Sequence, residues 1–293
     1  MSAKQESHSV PEISPRFKIF PKFATVMKVR AKKRLGQHFL NDEGIARRIV
    51  ESLLEMNPCG AGCSVLEVGP GMGVLTKYLL QEKDMDFRAV EIDEESVEYL
   101  VMNYPDIRPK LYEEDFLRMS LEKIFPGRLA IIGNFPYNIS SQIFFKILDH
   151  KDRIPFAVGM IQKEVADRLA SPPGNKAYGI LSVLLQAWYD IEYLFTVEPG
   201  SFSPPPKVRS AVIRICRNER TDLGCDEALF KRVVKTCFNL RRKTIRNSIK
   251  PLLGEYSIRD TPMLDMRPEQ LSVEQFVKLA SLLSRTDCPD RIE

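Results

Sequence analysis

The chain reads as an α/β protein, with a doubly wound, mostly parallel sheet, an antiparallel edge and a small all-helical C-terminal unit. Three observations predict this. Short apolar runs alternate with amphipathic segments between Ser64 and Ile161, which is the pattern of strands joined by crossover helices. Two further strand-like runs then flank a Pro-rich loop, as an antiparallel pair at a sheet edge does. Beyond Arg217 only helix-type periodicity remains, which puts a boundary near residue 218, with a larger domain over 28–218 and a smaller one over 219–293.

The elements follow in order. Asn41 or Asp42 can cap a helix carrying Ile45, Ile49, Val50, Leu53 and Leu54 on one stripe. Ser64–Val68 is the first strand of the alternation, and it runs directly into Gly69-Pro70-Gly71-Met72-Gly73 and a helix with Leu75, Tyr78, Leu79 and Leu80. Phe87–Ile92, Lys110–Tyr112 and Arg128–Gly133 are the next three strands. A helix through Ile143, Phe144, Ile147 and Leu148, capped by Ser140 or Ser141, leads to a fifth strand, Phe156–Ile161. A helix through Leu181, Leu184, Leu185 and Trp188 precedes the two edge strands, Ile191–Val197 and Val208–Cys216. In the C-terminal unit Asp226 can cap Glu227–Phe238. Pro251 closes a basic helix, and Ser272 with Gln275 forms a capping box for Val273–Leu283. Residues 1–27 are rich in Ser, Pro and Lys without periodicity and are expected to be a disordered tail.

Charge is uneven. Ser64–Lys123 holds 14 acidic and 7 basic residues, whereas Lys231–Lys250 holds eight basic and no acidic ones. A second basic run, Lys28, Arg30, Lys32, Lys33 and Arg34, lies near the start. Two basic clusters flanking a mildly acidic body suit a polyanion held at the edges of the molecule. Solvated helix faces are the bland alternative. The six cysteines form no CxxC pair and the three histidines are scattered, so reduced thiols, a cytoplasmic location and no metal site are expected. No apolar run reaches membrane-spanning length.

The chemistry concentrates at strand ends. A glycine turn between a strand and its helix brings backbone amides close to a ligand. Here the spacing is Gly69-x-Gly71-x-Gly73, with Glu91 at the end of the second strand placed to accept ribose hydroxyls. Nicotinamide dinucleotides and S-adenosylmethionine are both held this way. The shorter glycine spacing favours S-adenosylmethionine, as does Asp115 at the third strand end, where it can accept from an adenine amine. At the fourth strand end stands Asn134-Phe135-Pro136-Tyr137. The Asn134 oxygen and a backbone carbonyl, that of Pro136, can take the two hydrogens of an exocyclic amine, and the Tyr137 face can stack on its ring. A strand ending in Asn-x-Pro is also an ordinary turn. The tetrapeptide gains its weight from the three sites beside it.

Together these residues resemble the small-subunit (16S) ribosomal RNA adenine N6-dimethyltransferase family, over about Lys32 to Leu283. The matching segments are Lys33–Asp42, Glu67–Gly71, Val90–Asp93, Asp115-Phe116, Asn134–Ser140, Gln162–Ala166, Phe202–Val208 and Arg241–Ser248, in the family's order. Phe135 departs from the family's usual Leu. The resemblance implies a Rossmann-like class I methyltransferase fold and S-adenosyl-L-methionine as methyl donor. His38, Leu40, Gly69, Glu91, Asp115 and Asn134 would contact the cofactor or frame its pocket, beside Gly71 of the glycine loop. Asn134, Pro136 and Tyr137 would act on the base, with Phe202 as a second aromatic wall. Lys32, Lys33 and Arg34, with Arg241, Arg242, Lys243 and Arg246 as one stripe, would hold RNA phosphates. The implied substrate is two adjacent adenosines in a 3′-terminal hairpin loop of small-subunit rRNA within a pre-30S particle, acted on by a monomer. The alternatives are a large-subunit rRNA adenine methyltransferase that confers antibiotic resistance, a ribosome-assembly factor without chemistry, and, more distantly, a nicotinamide oxidoreductase.

Overall fold

The computed structural model describes residues 29–285. The expected tail over 1–27, Lys28 and Cys288 lie outside them.

In chain order the elements are β1 (Phe39–Leu40), α1 (Glu43–Leu54), β2 (Cys63–Val68), α2 (Thr76–Leu79), β3 (Phe87–Val90), α3 (Glu94–Asn103), β4 (Leu111–Tyr112), α4 (Leu121–Ile124), β5 (Arg128–Asn134), α5 (Ser140–Asp149), β6 (Phe156–Gln162), α6 (Lys163–Leu169), α7 (Ile180–Gln186), β7 (Tyr189–Val197), β8 (Phe202–Ser203), β9 (Ser210–Arg217), α8 (Glu227–Asn239), α9 (Ile245–Ser248), β10 (Tyr256–Ile258), α10 (Val273–Ser281) and β11 (Leu283–Arg285). Seven strands form one sheet in the order β4-β3-β2-β5-β6-β9-β7. The first five pair in parallel, and β9 runs antiparallel to both β6 and β7. The doubly wound sheet with an antiparallel edge is therefore the one the alternation predicts.

The central strands are apolar throughout because both faces are covered. Val65, Ala130, Ile132, Val158 and Met160 pack with α1 residues Ile49 and Leu53 on one face. Leu66, Ile131, Ala157 and Ile161 pack with α5 residues Ile143 and Ile147 on the other. This second core continues through Leu184 and Trp188 into Phe230, Val233, Val234 and Phe276. The C-terminal helices thus close one face of the sheet's core.

Helix starts follow the expected chemistry in three places. Asp42 accepts from the Ile45 amide at 3.1 Å and Asp226 from the Leu229 amide at 2.6 Å. Ser272 and Gln275 bond reciprocally. Elsewhere the structure differs. Ser140 is the first residue of α5 and not its cap, because its hydroxyl turns back to the Tyr137 carbonyl at 3.2 Å. The C-terminal unit is helical but not purely so, since β10 and β11 pair antiparallel and bring the end of the chain back onto it. The basic segment before Pro251 is not one helix. Arg241, Arg242 and Lys243 lie in the turn between α8 and the four-residue α9.

Two glycines carve a slot for Phe135. A Cβ at Gly159 would sit 2.3 Å from the ring, and one at Gly133 would sit 3.0 Å from it and 2.5 Å from the Val68 carbonyl. The ring fills that slot at 1% exposure and meets Phe144 edge-on, with centroids 6.0 Å apart. Overpacked positions of this kind cost about 1–3 kcal/mol. Gly159→Ala is therefore expected to destabilise the fold by about that amount, and Phe135→Leu in the same chain should recover part of it. Denaturant titration of the parent, the single variant and the double variant checks this, and an unshifted midpoint for Gly159→Ala would mean the ring is not seated as described.

Candidate active site

Strand order reverses between β2 and β5, one winding running outward through β3 and β4 and the other through β6. Loops leaving neighbouring strands at such a point diverge, and a crevice opens beyond the carboxyl ends. The cleft found there is lined by the glycine loop, Glu67, Glu91, Asp115, Asn134–Ile139 and Leu35–Leu40. Four successive strand ends meet in it, as their shared position in the sequence pattern implies.

The glycine loop can do this because Gly69, Gly71 and Gly73 all have positive φ. At Gly71 a side chain would also meet the Phe39 ring at 3.0 Å. The three glycines carry no side chains there, so a ligand can approach the loop's backbone closely, although their amides are engaged: that of Gly69 donates to the Val90 carbonyl (3.0 Å) and that of Gly73 to the Pro70 carbonyl (2.9 Å). Glu91, 5% exposed, accepts from the amides of Gly71 (3.0 Å), Ile92 (2.9 Å) and Asp93 (3.0 Å). Burial nonetheless raises its pKa, opposed by those three donors. Asp115 accepts from the Leu117 amide at 2.9 Å, and its other oxygen lies 3.6 Å from the Arg118 guanidinium. Lys146, on α5, donates to the carbonyls of Phe116 (2.6 Å) and Met119 (2.5 Å) and so ties this loop down.

At the β5 end, Asn134 donates through Nδ2 to the His38 carbonyl at 2.9 Å. Its Oδ1 accepts no hydrogen bond from the described residues and is left for a ligand. The Pro136 carbonyl already accepts from the Ile139 amide at 3.1 Å. The Phe135 carbonyl accepts none from the described residues, and Phe135 lines the cleft although its ring is buried. The expected second acceptor, the Pro136 carbonyl, thus already carries one bond from the turn after the strand, whereas the carbonyl one residue earlier carries none from the described residues. The Tyr137 hydroxyl bonds to Ser210 on β9, and its ring lies 5.2 Å from that of His38. Burial raises the phenol's pKa. His38 donates through Nδ1 to the Pro204 carbonyl at 2.9 Å, which makes its ring a spacer beside Tyr137.

Phe202 does not reach the cleft. It pairs with Leu40 across β1 and β8 and is 3% exposed in the core beneath, so the expected second aromatic wall is corrected to a packing residue. Leu40 is likewise buried while framing the cleft. Of the cations, Lys33, Arg34, Arg242 and Lys243 are exposed and make no ion pair with the described residues. Lys32 is held by Asp93 and Glu95, Arg241 lies 3.7 Å from Glu269, and Arg246 is bound by Asp260 and Asp265. The expected continuous stripe is thus interrupted at Arg246. Arg241 instead shares a groove with Lys176 and Lys235, which were not anticipated. Among the described residues no His, Cys, Asp and Glu cluster could hold a metal, and no helix is long and apolar enough to cross a membrane.

Glu67 was also missed. It sits inside the apolar run of β2, 1% exposed, with Thr76 donating to it at 2.7 Å, and it lines the cleft. A carboxylate inside such a run was the legible sign. Burial pushes its pKa up to about 8.

The architecture is shared with solved methyltransferases. A dimethyladenosine transferase from Plasmodium falciparum aligns with a TM-score of 0.66 at 24% identity, over 84% of this chain and 99% of that one. A 23S rRNA methyltransferase aligns at 0.58 and 24%, over 83% and 99%. Fold and site together define a Rossmann-like class I methyltransferase. A family model described as ribosomal RNA adenine dimethylase matches residues 28–285. A ribosomal RNA small subunit methyltransferase A from Parabacteroides distasonis is 60% identical over 86% of this chain and 93% of its own, and one from Porphyromonas gingivalis 54% over 89% and 100%. The chain belongs to the ribosomal RNA adenine dimethylase family.

A raised acid pKa makes stability fall with pH. Below 4.5 Glu67 is protonated folded or unfolded; between there and about 8 only the unfolded chain loses the proton, so the native state loses ground throughout that window. Glu67→Gln should flatten this part of the stability–pH profile relative to the parent. Chemical denaturation at pH 5, 6, 7 and 8 measures it, and parallel profiles would place the shift elsewhere.

Proposed function

We propose that this protein transfers methyl groups from S-adenosyl-L-methionine to the N6 amines of two adjacent adenosines in a 3′-terminal hairpin loop of small-subunit rRNA, within a pre-30S particle in the cytoplasm. The observation that carries the reading is the Asn134 amide in the cleft lining, whose nitrogen is committed to His38 and whose oxygen accepts nothing from the described residues. The relatives' names favour the small subunit over the large one.

When bound, S-adenosylmethionine supplies a methyl group already activated on a sulfonium. The cradle of Gly69 and Gly71 would take its charged tail, and Asp115 its adenine amine. An ionised carboxylate accepts about four hydrogen bonds. Glu91 already has three, so one ribose hydroxyl fits the remaining site and a second requires the Gly71 amide to give way.

The obstacle to transfer is the target amine, whose lone pair is delocalised into the ring. Hydrogen bonds from N6–H to Asn134 Oδ1 and to the Phe135 carbonyl pull the nitrogen towards a tetrahedral form and release that pair. Asn134 is no general base, since an amide takes no proton at neutral pH; the methylated amine is acidic enough to lose its proton to water. Holding donor and acceptor in line is worth ~7–11 kcal/mol. Tyr137, fixed through Ser210 and flanked by His38, stacks on the extruded base for roughly 1–3 kcal/mol. A second transfer needs room beside Asn134 for N6-methyladenine.

RNA phosphates fall to the exposed cations, Lys33 and Arg34 by the cleft mouth and Arg242 and Lys243 on the C-terminal turn, with residues 219–293 as the RNA-holding unit. Arg246, already paired twice, contributes less.

Two outcomes are expected. Asn134→Ala should abolish methyl transfer and leave cofactor affinity within about tenfold, roughly 1.4 kcal/mol. Transfer of labelled methyl to immature small subunits, with large-subunit RNA as the competing substrate, reads the first. Calorimetry on the same preparation reads the second, and near-normal turnover would sink the assignment. Replacing Arg242 and Lys243 by Ala should lower the slope of log affinity for RNA against log salt by roughly 0.7–0.9 per residue, whereas Arg246→Ala should move it less. Equal slopes in parent and double variant would put the RNA elsewhere.

A further inference from the structure

The segment from Lys32 to Leu40, of which Leu35–Leu40 line the cleft, is a strap fastened at three points. At its start, Lys32 forms ion pairs with Asp93 and, at 3.1 Å, with Glu95. Gln37 donates to the other Asp93 oxygen at 3.3 Å, and its own side-chain oxygen accepts from the Lys32 amide at 2.9 Å. The Asp93 side chain is 1% exposed. Burial opposes its charge, but Lys32, Ser96 and Gln37 outweigh this and hold its pKa below the usual carboxylate range. In the middle, the His38 carbonyl accepts from Asn134, and the Arg34 carbonyl accepts from Asn138 at 3.3 Å. At its end, Phe39 and Leu40 pair with Ser203 and Phe202. The Phe39 ring also rests against the glycine loop at Gly71.

Asp93 lies two residues beyond Glu91, and its amide donates to the Glu91 carboxylate. The first fastening thus uses the residue whose amide supports the carboxylate proposed to hold the ribose, and the second uses the amide proposed to hold the target amine.

We infer that Lys32 is a positioning residue of the methyl-transfer site: its ion pair with Asp93 clasps the strap over the bound cofactor and so couples cofactor retention to the orientation of Asn134. This rests on the function proposed above. It takes Lys32 out of the RNA-holding set. Its ammonium is already matched by two carboxylates and is only 25% exposed, whereas the neighbouring Lys33 and Arg34 are exposed. A strap that must open for the cofactor and close for chemistry has its ionic fastening at this end. The other end is held by backbone pairing.

Lys32→Met and Lys32→Arg in the full chain test this, by calorimetric affinity for S-adenosylmethionine, single-turnover methyl transfer at saturating cofactor, and RNA affinity across several salt concentrations. Lys32→Met should bind the cofactor at least tenfold more weakly and should remain slower than the parent when saturated, because Asn134 has lost a firm partner. Lys32→Arg should restore both. The RNA salt slope should be the same in all three proteins. Unchanged cofactor affinity in Lys32→Met, full recovery of its rate at saturation, or a salt slope lowered by one phosphate contact each overturns the clasp while leaving the proposed function intact. A parent that binds no S-adenosylmethionine overturns the proposed function, and the clasp with it.

Discussion

The reversal of strand order between β2 and β5 is the constraint on which the rest depends. Parallel strands wound in one direction would carry their loops to the same side and close over each other. Winding outward from a central pair parts the loops and leaves a crevice at their carboxyl ends. Glu67, Gly69, Glu91, Asp115 and Asn134 are spread over 68 sequence positions and meet only because each ends, or nearly ends, a strand of that sheet. The antiparallel strands β9 and β7 extend the same sheet and supply Ser210, so even the tyrosine's anchor descends from the topology.

The cleft built this way is rich in buried acids. Burial raises the cost of ionising both Glu67 and Glu91, the charge of Glu91 adds to that of Glu67, and neither makes an ion pair with the described residues. Such a lining suits a ligand with hydroxyls, an amine and a positive charge. It suits a phosphate chain poorly. The exposed cations lie outside, on the strap and on the turn between α8 and α9. Ligand and polyanion are thus sorted by charge. A base can enter from the polyanion's side only if its own backbone stays outside, which is the geometry that base extrusion produces.

Not every residue type that suited a role had the position for it. Phe202 had the right chemistry for a stacking wall, but β1 pairs with β8 and draws the ring inward against Leu40. Pro136 stood in the right tetrapeptide, but the turn that follows engages its carbonyl and leaves that of Phe135. Lys32 and Arg246 were counted as free cations because charge runs show no partners. Their carboxylates lie 61 and 14 to 19 residues away. Glu67 begins the matching segment Glu67–Gly71 but carried no role for the opposite reason, since a strand's apolar average hides one acid within it.

What the sequence determined by itself was local or periodic. Alternating apolar runs set the sheet and its two buried faces. Three glycines with no side chain to place marked the loop, and an acid or amide after each strand marked the site, because the start of a turn is where a strand exposes its next side chain. Asp42, Asp226 and Ser272 announced their helices through bonds made three residues away. What only the tertiary structure decided was which of several suitable groups remains unpaired. Asn134 presents its oxygen because His38, 96 residues earlier, takes its nitrogen. Lys32 is spent on Asp93, and Phe202 is buried by a two-residue strand. Hydrogen bonds and ion pairs saturate, so a group's availability depends on every other group within reach, and reach across the chain is set by the fold.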